Sequence, residues 1–465
     1  MSRLKTYFVP IFKYIFIFGI LILSFNLLLY LACSFPSELI YENALSSAET
    51  LVEEGGVFKI GLMEKLDNHT EALIINEAYS VDSDDPLGSY MYARKNYQKG
   101  LTQKILEDPV GDLYSYSNNT YDASGNPIKD EEYDMPAELL AFLNGNVTTA
   151  VNYTRYYHGF LTIFRPLLLF FDISGIRMLL FFVFLFVLAY FSYLVKKKFN
   201  LKTMIAFLYS FLVFGYFYVS YSLQQALVFL VMMISSILLL RKIEKYDRSK
   251  LYMHLFITGA FANYFDFLTT PVLTLTIPLL LYVLYHKQKE LTTNSDSNIF
   301  ITNPKETFKF IVLSGIFWSL GWALTWISKW LLFSVFYERT GILSTFGQIQ
   351  HRSYGNLELV FNCLPYSLTI LFTSLFMYFI LFLIFLILFK NVSFKRFKIK
   401  NLKSDFQILF IALIPLAWQV VLFNHSILHV IFTYRNMTVV LAIALLCVFN
   451  HVEFISTKEK KFNKR

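Results

Sequence analysis

Apolar residues in this chain come as near-continuous runs separated by short polar connectors, rather than at the three-to-four-residue spacing of helices lying on a soluble core. A run that crosses lipid satisfies its backbone groups within its own helix and needs ~20 residues to do so. On that basis the pattern predicts ten membrane-spanning helices, near residues 8–32, 166–195, 203–219, 223–240, 251–265, 272–286, 309–333, 366–389, 406–423 and 437–453. Only Ser34 to Tyr157 is long and polar enough to live in water.

Inside that stretch, Pro36-Ser37-Glu38 followed by SSAETLVEE reads as a short helix with a capping-type start. The segment EALIINEAY is apolar at helical spacing and is expected to dock on the membrane part, carrying its acids to the rim. From Asn118 the text NNTYDASGNPIKDEEYD is punctuated by turn residues and reads as a lid or surface excursion. The expected fold is an all-α integral membrane protein. It has a spanning helix in 1–33, an extracytoplasmic acidic loop with juxtamembrane helices over 34–158, a multispanning bundle over 159–455 and a basic tail, 456–465.

Composition agrees with the pattern, since 465 residues that are 56% hydrophobic and 16% charged carry more apolar surface than a soluble core hides. The net charge of +8 conceals an asymmetry: Ser34 to Tyr157 holds 21 Asp/Glu against 8 Lys/Arg, a net of −13, which leaves +21 for the rest. Lys and Arg gather in the connectors 196–202, 241–250, 286–309 and 390–405 and in the tail, which the positive-inside rule assigns to the cytoplasm together with both termini. The acidic loop and the connectors 220–225, 265–271, 336–358 and 424–437 then face outward from the plasma membrane. This charge pattern is topological and gives no reason to expect nucleic acid as a partner.

Cys33, Cys363 and Cys447 stand singly and form neither a redox motif nor a disulfide framework. The run LLLYLACS invites lipidation at Cys33, but Tyr7 to Ala32 exceeds a signal-peptide core of ~7–15 residues and reads as an uncleaved span. Asn-X-Thr triplets at Asn68, Asn118, Asn146 and Asn152 are what an Asn- and Thr-rich chain produces by chance. No internal repeat of the kind common in secondary transporters is evident.

Ionisable groups at membrane depth are costly, so each is a functional candidate. Asp266, Lys329, His425, His429 and Arg435 lie at the outer ends of spans. Arg155, His158, Arg165, Asp172 and Arg177 precede or enter the second span, Arg352 sits in an outer connector, and the inner halves show no comparable set. His158, Arg165 and Asp172 are seven apart, one stripe on a continuous helix, although Pro166 is better suited to the first turn of the span. Arg165 and Arg177 read either as site residues or as headgroup-seeking cations with Asp172 paired to one of them. Asp266, just before Pro271, calls for a partner such as Lys329 or Arg435, as an ion pair or as part of a site.

His425 and His429 are one helical turn apart, and a zinc protease would need a Glu where Ser426 stands. Donors for a phosphate fit better, with Arg435 supplying a planar fork; no cofactor is called for, and a divalent metal stays open. Asp82, Asp84 and Asp85 read as a turn, while Glu71 and Glu77 are embedded in the docking helix. A carboxylate held at the rim could deprotonate a hydroxyl nucleophile, with Glu71 the first candidate and Glu77 and Asp82 behind it.

Taken together, the chain resembles the GT-C superfamily of multispanning glycosyltransferases, in its inside N-terminus, single span, large outer acidic loop and bundle with basic outer loops. The segments NHTEALIINEAYS, RYYHGFLTIFRPLLLFFDISGIRMLL, NYFDFLTTPVLTLTIPL and NHSILHVIFTYRN resemble those of a group of membrane proteins from low-GC Gram-positive bacteria. The resemblance implies transfer of a sugar from a polyprenyl-phosphate donor in the membrane lipid to a surface glycopolymer or glycolipid acceptor. It also implies Glu71 as general base, with Arg155, His158, Arg165, Asp266, Lys329, Arg352, His425, His429 and Arg435 around the lipid phosphate. Members usually carry paired acids soon after the first span; here Glu38 and Glu42 are not so paired, and Asp82-Ser83-Asp84 has the pattern only in a turn. A transporter or flippase of lipid-linked glycan and a non-catalytic envelope-assembly membrane protein are the alternatives.

Overall fold

The computed structural model describes residues 2–60, 64–97, 135–146, 149–154, 156–293, 303–336, 392–393, 399–451 and 453–454. The long α1 (Ser2–Cys33) is followed by a 3-10 turn and α2 (Tyr41–Glu54). A short ribbon of β1 (Val57–Ile60) and β2 (Glu64–Asp67) leads into α3 (Asn68–Tyr79) and α4 (Pro86–Tyr92). A second ribbon pairs β3 (Arg94–Tyr97) with β4 (Thr149–Asn152) in antiparallel register, with α5 (Met135–Leu143) between them in sequence.

The bundle follows: α6 (Leu161–Leu167), α7 (Ile173–Lys198), α8 (Leu201–Val213), α9 (Tyr216–Val219), α10 (Leu223–Arg241), α11 (Arg248–Phe265), α12 (Leu273–Thr293) and α13 (Pro304–Phe336). After it come α14 (Ile399–Val421), α15 (Phe423–Leu428), α16 (Val430–Thr433) and α17 (Thr438–His451), with a last antiparallel pair, Val392–Ser393 on Glu453–Phe454.

Five described helices are long and apolar enough to cross a membrane: Ile11–Cys33, Ile173–Lys198, Leu223–Arg241, Pro304–Phe336 and Val430–Phe449. Ten spans are not reached among the described residues. Leu201–Val213 and Asp405–Val421 are apolar but shorter, and α11 and α12 fall outside the spanning set. The expected span at 366–389 lies outside the described residues. Helices α1, α7 and α13 keep Phe12, Phe16, Leu23, Phe182, Phe186, Val312 and Ile316 exposed, the perimeter that lipid tails would cover.

Among the described residues, α11 packs most extensively against α13. A side chain on Gly259 would run into the Trp318 carbonyl, and one on Gly321 into the Phe256 carbonyl, so glycine lets the two backbones approach as small residues do in membrane bundles. Pro166 sits inside the short α6, and the following span starts only at Ile173, with the Asp172 carboxylate accepting from Gly175 N as its N-cap. His158, Arg165 and Asp172 therefore lie before α6, within it and at the cap of α7. The seven-residue spacing does not form one helical stripe.

The described connectors separate into two groups. Chain around Ser222, Asp266 to Pro271 and Lys329 meets the acidic loop at one end of the bundle, where His425 lies against the Leu268 carbonyl. At the other end Lys198 pairs with Glu244, Lys202 reaches the Phe449 carbonyl, and Lys287 pairs with Asp405 at 3.1 Å in a buried contact. The amphipathic segment 68–79 is helical as expected and buries Glu71, Ala72, Ile74, Ile75, Asn76, Glu77 and Ala78.

Candidate functional site

Helix ends leave N–H and C=O groups without intrahelical partners, and most of the charges singled out in the sequence are spent on them. The Ser222 N-cap of α10 does not use its own side chain to cap. Instead Glu71 reaches over from α3, accepting from Leu223 N at 2.9 Å, Ser222 Oγ at 3.0 Å and Gln224 N at 3.4 Å. Both carboxylate oxygens are engaged and the side chain is fully enclosed. Glu71 thus docks the acidic loop on the positive end of α10, where a carboxylate is favoured, and the general-base role expected of it has no free oxygen to use. Beside it Arg177 grips Glu54 through two bonds of 2.7 and 2.9 Å and donates to the Tyr221 carbonyl and to Asn68 Oδ1.

Burial pushes the Glu71 carboxyl up to about 7, against the pull of Arg177 and of the Leu223, Ser222 and Gln224 donors. A carboxyl whose folded pKa is raised favours folding below its unfolded value, and that contribution is lost as pH rises through the folded value. Over pH 5 to 8 the wild type should therefore lose melting temperature relative to Glu71→Gln, by roughly 5 °C. At every pH in that range Glu71→Gln should melt below the wild type, because its amide turns a donor toward the donors of α10. Melting curves at several pH values check both statements.

Arg165 and Lys329 are also bound to protein. The Arg165 guanidinium donates to the carbonyls of Ala32 (2.5 Å), Phe35 (2.7 Å) and Ala78 (2.9 Å) and to Ser37 Oγ, and lies over the Phe35 ring. It closes the C-terminal ends of α1 and α3 together. Lys329 Nζ donates to the Tyr90 and Met91 carbonyls at the end of α4, at 2.8 and 3.2 Å. Neither cation reaches outward to headgroups, and Lys329 does not form an ion pair with Asp266. Asp172, besides capping α7, takes a bond from Ser46 Oγ.

A second group sits between the loop and the bundle. Glu77 faces His158 Nδ1 at 2.7 Å and Lys95 Nζ at 3.4 Å, all three nearly fully buried. The other ring nitrogen of His158 lies 2.7 Å from the Tyr153 carbonyl, and Lys95 stands over the Tyr153 ring. With both nitrogens facing oxygens, His158 is held in place and is not presented to a ligand. Its backbone takes a left-handed φ of 55°, a conformation that side chains rarely adopt and that the surrounding contacts must enforce.

The turn after α11 is where a different kind of acid appears. Asp266 Oδ1 accepts from Thr269 N at 2.9 Å and Thr269 Oγ1 at 2.5 Å, whereas its Oδ2 is buried with no hydrogen-bond partner. Thr270 Oγ1 and Asn436 Oδ1 share that condition, and Asn436 Nδ2 donates to the Thr269 carbonyl. A buried polar atom without a partner costs about 1–3 kcal/mol, so such atoms call for an explanation. Burial pushes the Asp266 carboxyl up to about 7 against the Thr269 hydroxyl and the amides of Thr269, Thr270 and Leu268.

Leu268 in this turn has a left-handed φ of 65°, and His425 Nε2 is 3.0 Å from its carbonyl. His425 and His429 rings are 4.7 Å apart, but His429 ends α15 instead of continuing it. Arg435 donates to the Ile431 carbonyl and lies over Tyr434. No group of three or more metal-ligating side chains occurs among the described residues.

An aromatic wall borders this turn. All five tryptophans of the chain belong to it: Trp318, Trp322, Trp326 and Trp330 follow each other one turn apart on α13, with Trp418 of α14 against the first two. The row on α13 spans about 18 Å. Tyr156 stacks on Trp326 and meets Phe267, and Leu268 belongs to the same cluster.

Asp82 occupies an exposed turn, its Oδ1 accepting from Asp84 N, as the spacing suggests. Arg155 and Arg352 lie outside the described residues. Lys95, Tyr156, Thr270 and Asn436 were not anticipated; Asn436 is the neighbour of Arg435 in the predicted outer connector and was within reach of the same reasoning. The basic end also holds buried polar groups not expected there. His254 stands 2.8 Å from Ser235 Oγ, which contacts Thr258 Oγ1, and lies near the Tyr246 hydroxyl. Compared with known proteins, the chain matches no family model, no curated protein and no solved structure.

Proposed function

We propose that this protein is a membrane glycosyltransferase that moves a sugar from a polyprenyl-phosphate donor to a cell-surface polymer or lipid acceptor outside the cytoplasm. The observation that carries the reading is Asp266: a buried carboxylate with one oxygen unengaged, at the end of the bundle where the polar connectors meet, beside His425 and the tryptophan wall. In this reading Asp266 takes the proton of the acceptor hydroxyl as that oxygen bonds to the sugar's anomeric carbon. The bond from that carbon to the phosphate breaks, and the phosphate leaves toward His425, His429 and Arg435, whose donors offset its charge. Glu71, Arg165, Arg177 and Lys329 fix the loop on the bundle, and the Glu77–His158–Lys95 group fixes the segment that carries Tyr156.

The purified chain in lipid nanodiscs, given polyprenyl-phosphate sugars labelled in the sugar and a membrane extract as acceptor, should transfer label to acceptor material. Label that stays on the polyprenyl phosphate for every donor tried would count against the reading. One observation favours a flippase for lipid-linked glycan instead: the buried polar groups at the basic end, His254 with Ser235 and Thr258 and Lys287 with Asp405, give the bundle polar interior at both ends. Proteoliposomes that move a labelled lipid-linked sugar across the bilayer without transferring it would establish that reading.

A further inference from the structure

We propose that Glu77, His158 and Lys95 form a pH-sensitive latch, which fastens the acidic loop to the bundle while a proton is held between Glu77 and His158 and lets go when that proton leaves. The Tyr153 carbonyl, 2.7 Å from His158 Nε2, can only accept, so that nitrogen carries its hydrogen. Nδ1 then faces Glu77 Oε2 at 2.7 Å, close but not aligned as a hydrogen bond. A neutral ring would turn a lone pair toward the carboxylate there, and with Glu77 and His158 each 2% exposed, water does not screen the contact. The contact is attractive only when the pair holds a proton. Lys95 of β3, 3.4 Å from Glu77 Oε1, and Lys329 of α13, which also interacts with the Glu77 charge, keep the carboxylate ionised and place that proton on the ring. The other neighbours of the ring are Tyr153, Tyr156, Phe160 and Phe267, none of them charged.

What the latch holds is a strained connection. The left-handed φ of 55° at His158 persists only while surrounding contacts enforce it. Its neighbours tie the loop to two helices: Tyr156 stacks on Trp326 and the Tyr157 hydroxyl lies 3.0 Å from Ser328 Oγ, both on α13, while Gly159 N donates to the Tyr264 carbonyl of α11 at 3.0 Å. In an unfolded chain at neutral pH a histidine is mostly neutral and a glutamate ionised, so folding takes up a proton at this pair. Stabilisation of that kind is present at low pH and is lost as pH rises. Deprotonation leaves a buried carboxylate against a ring lone pair, beside a backbone under strain, and the segment from Tyr156 to Gly159 then loosens from α11 and α13. The latch is independent of the glycosyl-transfer reading.

Hydrogen exchange of the full chain in lipid nanodiscs, read over residues 156–161 and normalised for the intrinsic rise of exchange with pH, tests this. Between pH 6 and pH 9 the wild type should lose protection over this segment by about tenfold or more. Unchanged protection overturns the latch. Glu77→Gln keeps the side chain's shape and offers the neutral ring an amide N–H, so its protection should be the same at both pH values. That variant retains Glu71, so a fall confined to the wild type belongs to the Glu77–His158 pair, whereas a parallel fall in the variant belongs to another group and overturns the latch. If Glu77→Gln does not fold, His158→Asn takes its place, because asparagine tolerates the left-handed backbone and donates to Glu77 without titrating. Should neither variant fold, the wild-type comparison of the two pH values decides by itself.

Discussion

Asp266→Asn is expected to lower sugar transfer by about 100-fold or more while leaving the yield of folded protein close to wild type. The structural half of that expectation follows from which oxygen does what. Both donors from Thr269 go to Oδ1, which an asparagine keeps, and the atom that changes is Oδ2, which has no partner to lose. The chemical half follows from the proton: an amide cannot accept one from the acceptor hydroxyl. Since burial holds the Asp266 carboxyl near 7, the wild-type rate should also rise with pH through neutrality as the carboxylate form accumulates. A wild-type rate in Asp266→Asn, with folded yield unchanged, removes Asp266 as base.

Replacing Arg165 should have the largest effect on stability. Arg165→Met leaves the carbonyls of Ala32, Phe35 and Ala78 without their donor, two of them at helix C-termini where no intrahelical partner exists. At about 1–3 kcal/mol for each, the loss should exceed about 3 kcal/mol and take most of the folded yield. Arg165→Lys keeps the charge but not the fork that serves three carbonyls and a hydroxyl, so it should recover only part. Size-exclusion profiles and melting temperatures measure this. Should Arg165→Lys melt like wild type and lose only transfer, the guanidinium would be acting on substrate, as the sequence first suggested.

The sequence pattern carries the loop helix 68–79 and, among the described residues, the apolar runs long enough to cross a membrane, because each depends on local hydrophobic spacing. It does not carry the partner of each charge. Glu71 meets the end of a helix 151 residues further on, and an uncapped helix start looks like any other stretch of text. Arg165 and Lys329 look like phosphate ligands when only their depth is known; their carbonyl partners at the ends of α1, α3 and α4 come from packing. The sequence setting of Asp266 calls for a cation, whereas the Thr269 amide and hydroxyl of its own turn serve one oxygen and the other has no hydrogen-bond partner. Ten spans are not reached among the described residues, where α8 is too short and α11 and α12 fall outside the spanning set, while the span expected at 366–389 lies outside those residues.

Everything proposed for the site depends on the acidic loop and its meeting connectors facing out of the cytoplasm, with the basic connectors inside. In a variant lacking all three cysteines, Asp84→Cys and Lys245→Cys introduce single thiols at exposed positions of the two ends. A membrane-impermeant maleimide applied to intact cells should label the Asp84→Cys variant at once and the Lys245→Cys variant only after lysis. Labelling of Lys245→Cys in intact cells, with Asp84→Cys protected until lysis, would put the site on the cytoplasmic face and contradict the account.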